Sequence, residues 1–162
     1  MYNKIKVLLI AVAGVDKTRL IKNLAIKNKF QPNYPLTVGV DILTKEVEFR
    51  KGEFATLSIW DIKSQDRFEF IRSTFYKGSA GVILVFDLTR QETYSEVKGL
   101  LTEIRHCAGE NIPFILVGDN VHLLKLRDKI IRNEAHNFAN NEGGIYIETS
   151  PTSIDIIEGA IQ

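Results

Sequence analysis

The sequence is poor in cysteine and in net charge. Its single cysteine, Cys107, can form no internal disulfide, which is typical of proteins in a reducing compartment such as the cytosol. Lysine and arginine number 21 and aspartate and glutamate number 20, so a formal net charge of +1 offers no case for a nucleic-acid partner or a polybasic membrane anchor. The sequence also has no apolar run long enough to span a bilayer. We therefore expect a cytoplasmic protein with no nucleic-acid partner.

Neither end of the sequence is interpreted as a targeting signal. Residues 1–14 combine early lysines with an apolar stretch, as a secretory leader does, but they are shorter than such leaders and run into a phosphate-loop pattern. The last residues, 158–162, read EGAIQ and contain no cysteine to lipidate. We expect no direct lipid anchor in this chain, so attachment to the periphery of endomembranes would depend on a partner protein. A truncated C-terminus is left open.

Apolar runs alternate with helical patterns along the chain. Buried strands are predicted at 4–11, 80–89, 113–119 and 145–150, and a two-stranded hairpin at 40–50 and 53–61. Helices are predicted at 16–28, 91–108 and 127–143, with a last helix beginning at 153. This alternation predicts one α/β domain, residues 1–162, with a six-stranded, mostly parallel sheet covered by helices on both faces. Ligands of such sheets bind at the carboxyl ends of the strands.

The segment AVAGVDKT, residues 11–18, follows the first predicted strand and resembles the phosphate-loop pattern G-x-x-x-x-G-K-[ST]. In that pattern, backbone N–H groups such as those of Gly14 and Val15 point at phosphate oxygens from a helix N-terminus. Lys17 would reach the terminal phosphates, and the hydroxyl of Thr18 would reach Mg²⁺.

Two glycines of this pattern are missing, because Ala11 and Asp16 stand in their places. The carboxylate of Asp16 would lie near a phosphate, and two like charges about 4 Å apart repel by roughly 4 kcal/mol at an effective dielectric constant near 20. Aspartate is also a favoured N-cap that suits the positive end of a helix dipole. We therefore favour the interpretation that Asp16 occupies the anion site itself.

Later segments carry a resemblance to a known family. Residues 34–42 (YPLTVGVDI), 58–89 and 148–150 (ETS) follow in the order and spacing of the Ras superfamily of small GTPases. The motifs TVGVD, W-D…Q-D-R-F and YKGSAGVILVFDLT resemble its Rab branch in particular, and the resemblance runs from Lys4 into the last predicted helix. It implies a G domain of the P-loop NTPase type, which binds GTP or GDP with Mg²⁺ and acts as a switch in vesicle traffic.

The resemblance also implies a role for each matching residue. Thr18, Thr37 and Asp61 match the residues that hold the metal, and Gln65 matches the catalytic residue that orients the attacking water. The implied nucleotide-binding residues are Gly14, Val15, Asp16, Lys17, Thr18, Phe30, Asn120, His122 and Ser150.

The same resemblance places a partner surface at about 37–42 and 60–76, the segments that contact effector or regulatory proteins in the family. Trp60 and Phe75 resemble two of the three aromatic residues that Rab effectors contact, and Ile42 stands where the third would be. A dimer across this face is left open.

Three further loops depart from the family pattern. The D-x-x-G turn reads DIKS at 61–64, with Ser64 in place of the glycine. The guanine motif N-K-x-D reads DNVH at 119–122, and His122 offers at most one acceptor where a carboxylate accepts two base N–H bonds. In place of the S-A-K motif, Pro151 has no N–H to donate to a base carbonyl.

Two interpretations follow. In the first, the protein is a pseudo-GTPase with weak or lost GTP binding that acts as an interaction module, and Asp16 and Asp61 neutralise Lys17 and Lys63. In the second, it is a divergent small GTPase that still binds GTP or GDP with Mg²⁺ and hydrolyses GTP slowly. A receiver-like phosphoacceptor at Asp61 would need an acidic pair after the first strand, and the sequence AVAG supplies none.

Overall fold

A computed structural model describes residues 4–12, 15, 17, 20, 33–37, 40–62, 74–123 and 129–149. The strands are β1 (Lys4–Ala11), β2 (Asn33–Thr37), β3 (Val40–Arg50), β4 (Glu53–Ile62), β5 (Gly81–Asp87), β6 (Phe114–Asp119) and β7 (Ile145–Glu148). The helices within the described residues are α1 (Gln91–Ser95), α2 (Val97–Ala108) and α3 (Lys129–Asn141), with a 3₁₀ turn at Val121–Leu123.

The strands form one seven-stranded sheet in the order β2-β3-β4-β1-β5-β6-β7. The five strands from β4 to β7 in this order are parallel, and β2 and β3 join antiparallel at one edge. This confirms the predicted α/β class with a mostly parallel sheet. All six predicted strands are present.

The seventh strand, β2, lies in a segment that the sequence did not identify as a strand. It pairs with β3 through Thr37↔Val40 and Asn33↔Ile42, with an irregular register between them. Pro35 in its middle argues against a strand in the sequence alone, but an edge strand tolerates a residue without an N–H.

The central strands are buried on both faces, which explains their nearly continuous apolar sequences. In β1, Leu8 and Ile10 pack into a cluster with Phe86 on one face of the sheet. The intervening residue Leu9 packs into a second cluster with Val85 on the other face. Because both faces are covered, the carboxyl ends of the strands are the positions where polar groups meet.

The helix predicted at 91–108 is two helices, α1 and α2, which meet at Glu96. The hydroxyl of Thr93 bonds the carbonyls of Asp87 and Arg90, at 3.0 and 2.7 Å. These bonds tie α1, which has five residues, to the end of β5. Within the described part of the chain, no helix is both long and apolar enough to cross a membrane.

We predict that Gly118→Ala destabilises the fold, because a Cβ at Gly118 would lie 2.8 Å from Tyr146 Oη and 2.9 Å from Leu88 Cγ. Overpacking of this kind costs about 1–3 kcal/mol of unfolding free energy. Gly99→Ala in α2 is the matched control, since its Cβ meets nothing within 4 Å. Alanine is about 1 kcal/mol more favourable than glycine inside a helix, so the control gains stability. Urea unfolding of both variants checks this, and equal stability of the two would contradict the close packing at Gly118.

Candidate functional site

The candidate site lies at the carboxyl ends of β1 and β4, which are adjacent parallel strands. Their register pairs Leu9 with Asp61 and Ile10 with Ile62. Asp61 is 6% exposed, so its charge needs partners within the protein. Lys17 follows β1 and reaches this strand end.

The ammonium of Lys17 forms an ion pair with the carboxylate of Asp61. Lys17 Nζ also donates to the backbone carbonyls of Leu9 and Ile62, at 3.3 and 3.0 Å. The two charged side chains are 11% and 9% exposed, so this is a largely buried pair. The lysine therefore bonds the end of β4 and the backbone of β1.

This pairing joins two residues for which the family resemblance implies different ligands. The resemblance assigns Lys17 to the phosphates and Asp61 to the metal ion, and here they neutralise each other. The pseudo-GTPase interpretation expects Asp16 and Asp61 to neutralise Lys17 and Lys63, and the Lys17–Asp61 contact agrees with it. Asp16 and Lys63 lie outside the described residues. Within the described residues, Lys17 and Asp61 are thus charged partners of each other.

Several other candidate residues lie outside the described residues: Gly14, Asp16, Thr18, Phe30, Gln65 and Ser150. Val15 is partly buried, donates its N–H to the carbonyl of Val12 at 3.0 Å and packs against the core on both faces. Thr37 is the last residue of β2 and pairs with Val40. The structure therefore brings Lys17 and Asp61 together and leaves the assembly of the remaining metal and phosphate residues as a prediction.

The candidate base site, where the guanine base of a nucleotide would bind, lies at the carboxyl ends of β5 and β6. There Asp87 is opposite Asp119. Asp119 is 9% exposed and accepts a hydrogen bond from the Thr149 hydroxyl at 2.9 Å. Asn120 has a φ of 65°, a left-handed conformation that asparagine tolerates better than most residues. His122 is exposed in the 3₁₀ turn that follows.

The carboxylate of Asp87 is held by its neighbours. It accepts bonds from the Thr89 hydroxyl at 2.6 Å and from the Thr89 N–H at 2.9 Å. Burial alone raises the pKa of Asp87, but these bonds, one from the Asn120 side chain and the charge of Arg90 together hold the pKa below its usual range. Asn120, a predicted nucleotide-binding residue, therefore bonds a carboxylate of the protein.

Sequence reasoning did not select Asp87, Thr89 or Thr149. The Asp-Leu-Thr segment at the end of β5 is a local signal, because an aspartate often accepts a bond from the backbone N–H two residues later. Thr149 gave no such signal, since its partner Asp119 is distant in sequence and is reached only through the β6–β7 pairing.

An ion-pair cluster fixes the end of β7 beside the candidate base site. Glu148 accepts bonds from Arg132 Nε at 2.6 Å and Nη2 at 2.5 Å, and from the Tyr146 hydroxyl at 3.0 Å. Burial, followed by the charge of Glu148 and this bond, raises the pKa of Tyr146. The cluster joins α3 to β7, immediately before Thr149.

The three residues at the predicted partner-facing positions are neighbours. Ile42 on β3 is opposite Trp60 on β4, and the ring centroids of Trp60 and Phe75 are 5.9 Å apart. Trp60 and Phe75 are partly buried, whereas Ile42 is 7% exposed. Trp60 and Phe75 are therefore more exposed to solvent than Ile42.

The sheet order, together with a lysine of a phosphate-loop pattern beside the end of β4, defines an α/β fold of the P-loop type. A family model described as the Ras family matches residues 6–162. The Ras-related protein YPTC6 of Chlamydomonas reinhardtii is 35% identical over 157 residues, which are 97% of this chain and 71% of that protein. The chain therefore belongs to the Ras family of small GTPases, and the Rab-like resemblance is confirmed.

We predict that Thr89→Val raises the pKa of Asp87. Its folded-state pKa is depressed, so its contacts stabilise the fold above the unfolded value of about 3.9, and this contribution is lost as the pH falls through the folded-state value. Without the hydroxyl bond, the contribution should be smaller, and its loss should be complete at a higher pH, nearer to the unfolded value. Carboxyl ¹³C NMR titration measures the pKa directly.

The matched control is Thr102→Val on α2, whose hydroxyl bonds the carbonyl of Lys98. It removes a threonine hydroxyl without touching Asp87 and should leave the titration unchanged. An Asp87 titration that is the same in both variants would contradict the assigned cause of the shift.

Proposed function

We propose that this protein is a Rab-like pseudo-GTPase: one G domain over residues 1–162 with weak or lost GTP binding, acting as a protein-interaction module. The observation that carries the proposal is the pairing of Lys17 with Asp61, reinforced by the carbonyls of Leu9 and Ile62. These contacts satisfy, inside the protein, two charges that a GTPase of this family would direct to phosphate and metal.

The energy of opening this pair supports weak binding. Removing one partner from a buried ion pair typically costs about 3–5 kcal/mol, because the other charge is left uncompensated. A nucleotide would have to offset that cost before it gained affinity from Lys17.

The departures in the sequence act in the same direction. Asp16 would place a negative charge beside the phosphates, and Ser64 replaces the glycine of the switch turn. His122 and Pro151 remove an acceptor pair and an N–H from the guanine site. Because these positions lie in separate loops, no single substitution accounts for them.

Members of the Ras family typically bind GTP or GDP with Mg²⁺, and in this proposal the pairing of Lys17 with Asp61 competes with that set of ligands. Asp61, the carboxylate expected near the metal, is already neutralised by an ammonium. We therefore derive no hydrolytic step for this chain. Retained nucleotide binding with slow hydrolysis through Gln65 is the outcome that would replace this proposal.

The interaction surface that we assign comprises about 37–42 and 60–76, where Trp60 and Phe75 are adjacent. An effector or regulatory protein is the partner class that this surface suits in the Rab branch. A cytoplasmic protein of this kind would reach endomembranes through that partner, and a role in vesicle traffic is part of the proposal.

The first test measures nucleotide directly. The purified protein is denatured and the released nucleotide is quantified by chromatography; we expect far less than one guanine nucleotide per protein. Calorimetric titration of the native protein with GTP, GDP or ATP in the presence of Mg²⁺ should then show no tight binding. A stoichiometric guanine nucleotide would contradict the proposal, and a stoichiometric adenine nucleotide would contradict it while indicating a changed base preference.

The second test measures the ion pair. We predict that Lys17→Met and Asp61→Asn each lower the free energy of unfolding by about 3 kcal/mol in nucleotide-free protein, because each leaves a buried charge without its partner. The double variant Lys17→Met/Asp61→Asn should recover most of the loss. Urea unfolding of the three variants gives the coupling energy.

The exposed pair Arg90–Glu92, with N···O at 3.4 Å, is the matched control. Arg90 and Glu92 side chains are 41% and 71% exposed, so Glu92→Gln should change stability by at most about 1 kcal/mol. If the single variants at Lys17 and Asp61 change stability as little as Glu92→Gln, and their effects add in the double variant, the ion pair does not stabilise the fold.

A further inference from the structure

A second lysine, Lys6 in β1, bonds the segment that precedes β5. Its ammonium donates to the carbonyl of Phe75 at 2.5 Å and to the carbonyl of Lys77 at 2.9 Å. Its own carbonyl accepts the N–H of Ala80 at 2.8 Å. Because residues 74–76 form a helical turn, the ammonium satisfies carbonyls at the C-terminal end of that turn, where a cation is favoured.

The same ammonium contacts the aromatic pair. Lys6 Nζ lies 3.9 Å from the centroid of the Trp60 ring, a cation–π geometry. The indole N–H of Trp60 donates to the Ser58 hydroxyl at 3.1 Å, which fixes the ring from its other end. One charged group therefore binds the face of Trp60 and the backbone of Phe75 at the same time.

This arrangement follows from the strand register. Lys6 is paired with Ser58 and Leu8 with Trp60 in the parallel β1–β4 ladder. Side chains alternate between faces, so Lys6 and Trp60 project from the same face of adjacent strands. The lysine reaches the ring because these strands are neighbours, although the two residues are far apart in sequence.

A further bond holds the helical turn to α2. Tyr76 is fully buried, and its hydroxyl donates to Glu103 of α2 at 3.1 Å. The turn at 74–76 is thus bonded to β1 through Lys6 and to α2 through Tyr76. Each of these contacts is made within the protein.

We propose that Lys6 is a positioning residue that holds Trp60 and Phe75 in one arrangement without any nucleotide. Its ammonium fixes the orientation of the indole ring and the position of the turn that carries Phe75, so the aromatic surface is constant. Its use as a constant partner surface rests on the proposed function, whereas the positioning by Lys6 does not.

The experiment uses Trp60 as its reporter, because it is the only tryptophan in the chain. In Lys6→Met protein without nucleotide, we expect red-shifted Trp60 emission and easier quenching by acrylamide. Amide hydrogen exchange at 75–80 should accelerate by roughly twofold to thirtyfold, the range expected for loss of a cation–π contact. Lys6→Arg, which keeps a cation and several donors, should restore both signals toward those of the wild type.

Lys4→Met is the matched control, since Lys4 is an exposed lysine of the same strand. It should leave Trp60 emission and the exchange at 75–80 unchanged. Wild-type values in Lys6→Met, or equal changes in Lys6→Met and Lys4→Met, would overturn the proposal. If Lys6→Met fails to fold, Lys6→Gln is measured in its place. The proposal then requires that the Trp60 emission and quenching of Lys6→Gln differ from those of Lys6→Arg, and equal values would overturn it.

A separate arm adds GTP or GDP with Mg²⁺ to the wild-type protein. A nucleotide-dependent change in Trp60 emission would count against the pseudo-GTPase proposal and against a constant aromatic surface. Suppose instead that nucleotide leaves the Trp60 emission of the wild type unchanged, and that Lys6→Met has wild-type emission, quenching and hydrogen exchange. This result would overturn only the role of Lys6. The two failures are therefore distinguishable.

Discussion

The ion pair between Lys17 and Asp61 is the interaction on which the interpretation of this site depends. It joins the segment after β1 to the end of β4, and it is largely screened from water by the surrounding protein. In such surroundings a charge must be paired, and pairing with another residue competes directly with pairing to a ligand. The same two side chains that suit a nucleotide and a metal can therefore stabilise the fold in their place.

The fold itself does not depend on that choice. The sheet is specified by the apolar residues of strands such as β1, β5 and β6, which are buried on both faces. The polar residues of the candidate site come only at the carboxyl ends of the strands. A member of the Ras family can thus change residues in its ligand loops and keep its sheet order. This separation explains how residues 6–162 match the family model beside several departures in the nucleotide motifs.

The sequence allowed more of the fold than of the site to be predicted. Strands β1, β5 and β6 were predictable because buried parallel strands leave a continuous apolar pattern. The irregular edge strand β2 was not, since it depends on pairing with β3. The sequence pattern of residues 91–108 also did not indicate the break at Glu96. Lys17 and Asp61 were found through motifs, but their contact required the β1–β4 register. Lys6 gave no motif, because its partners are assembled only by the fold.

The two lysines of this region bear on whether the protein can act as a switch. A ligand shifts a conformational equilibrium only as far as its affinities for the two states differ. Under the proposed function, the pairing of Lys17 with Asp61 competes with the phosphate and metal contacts on which such a difference in affinity would depend. Lys6 contacts the Trp60 ring and bonds the backbone of Phe75, so both partner-facing residues are held by contacts within the protein. Under the proposed function, regulation would then lie in the supply and location of the partner protein rather than in a nucleotide cycle.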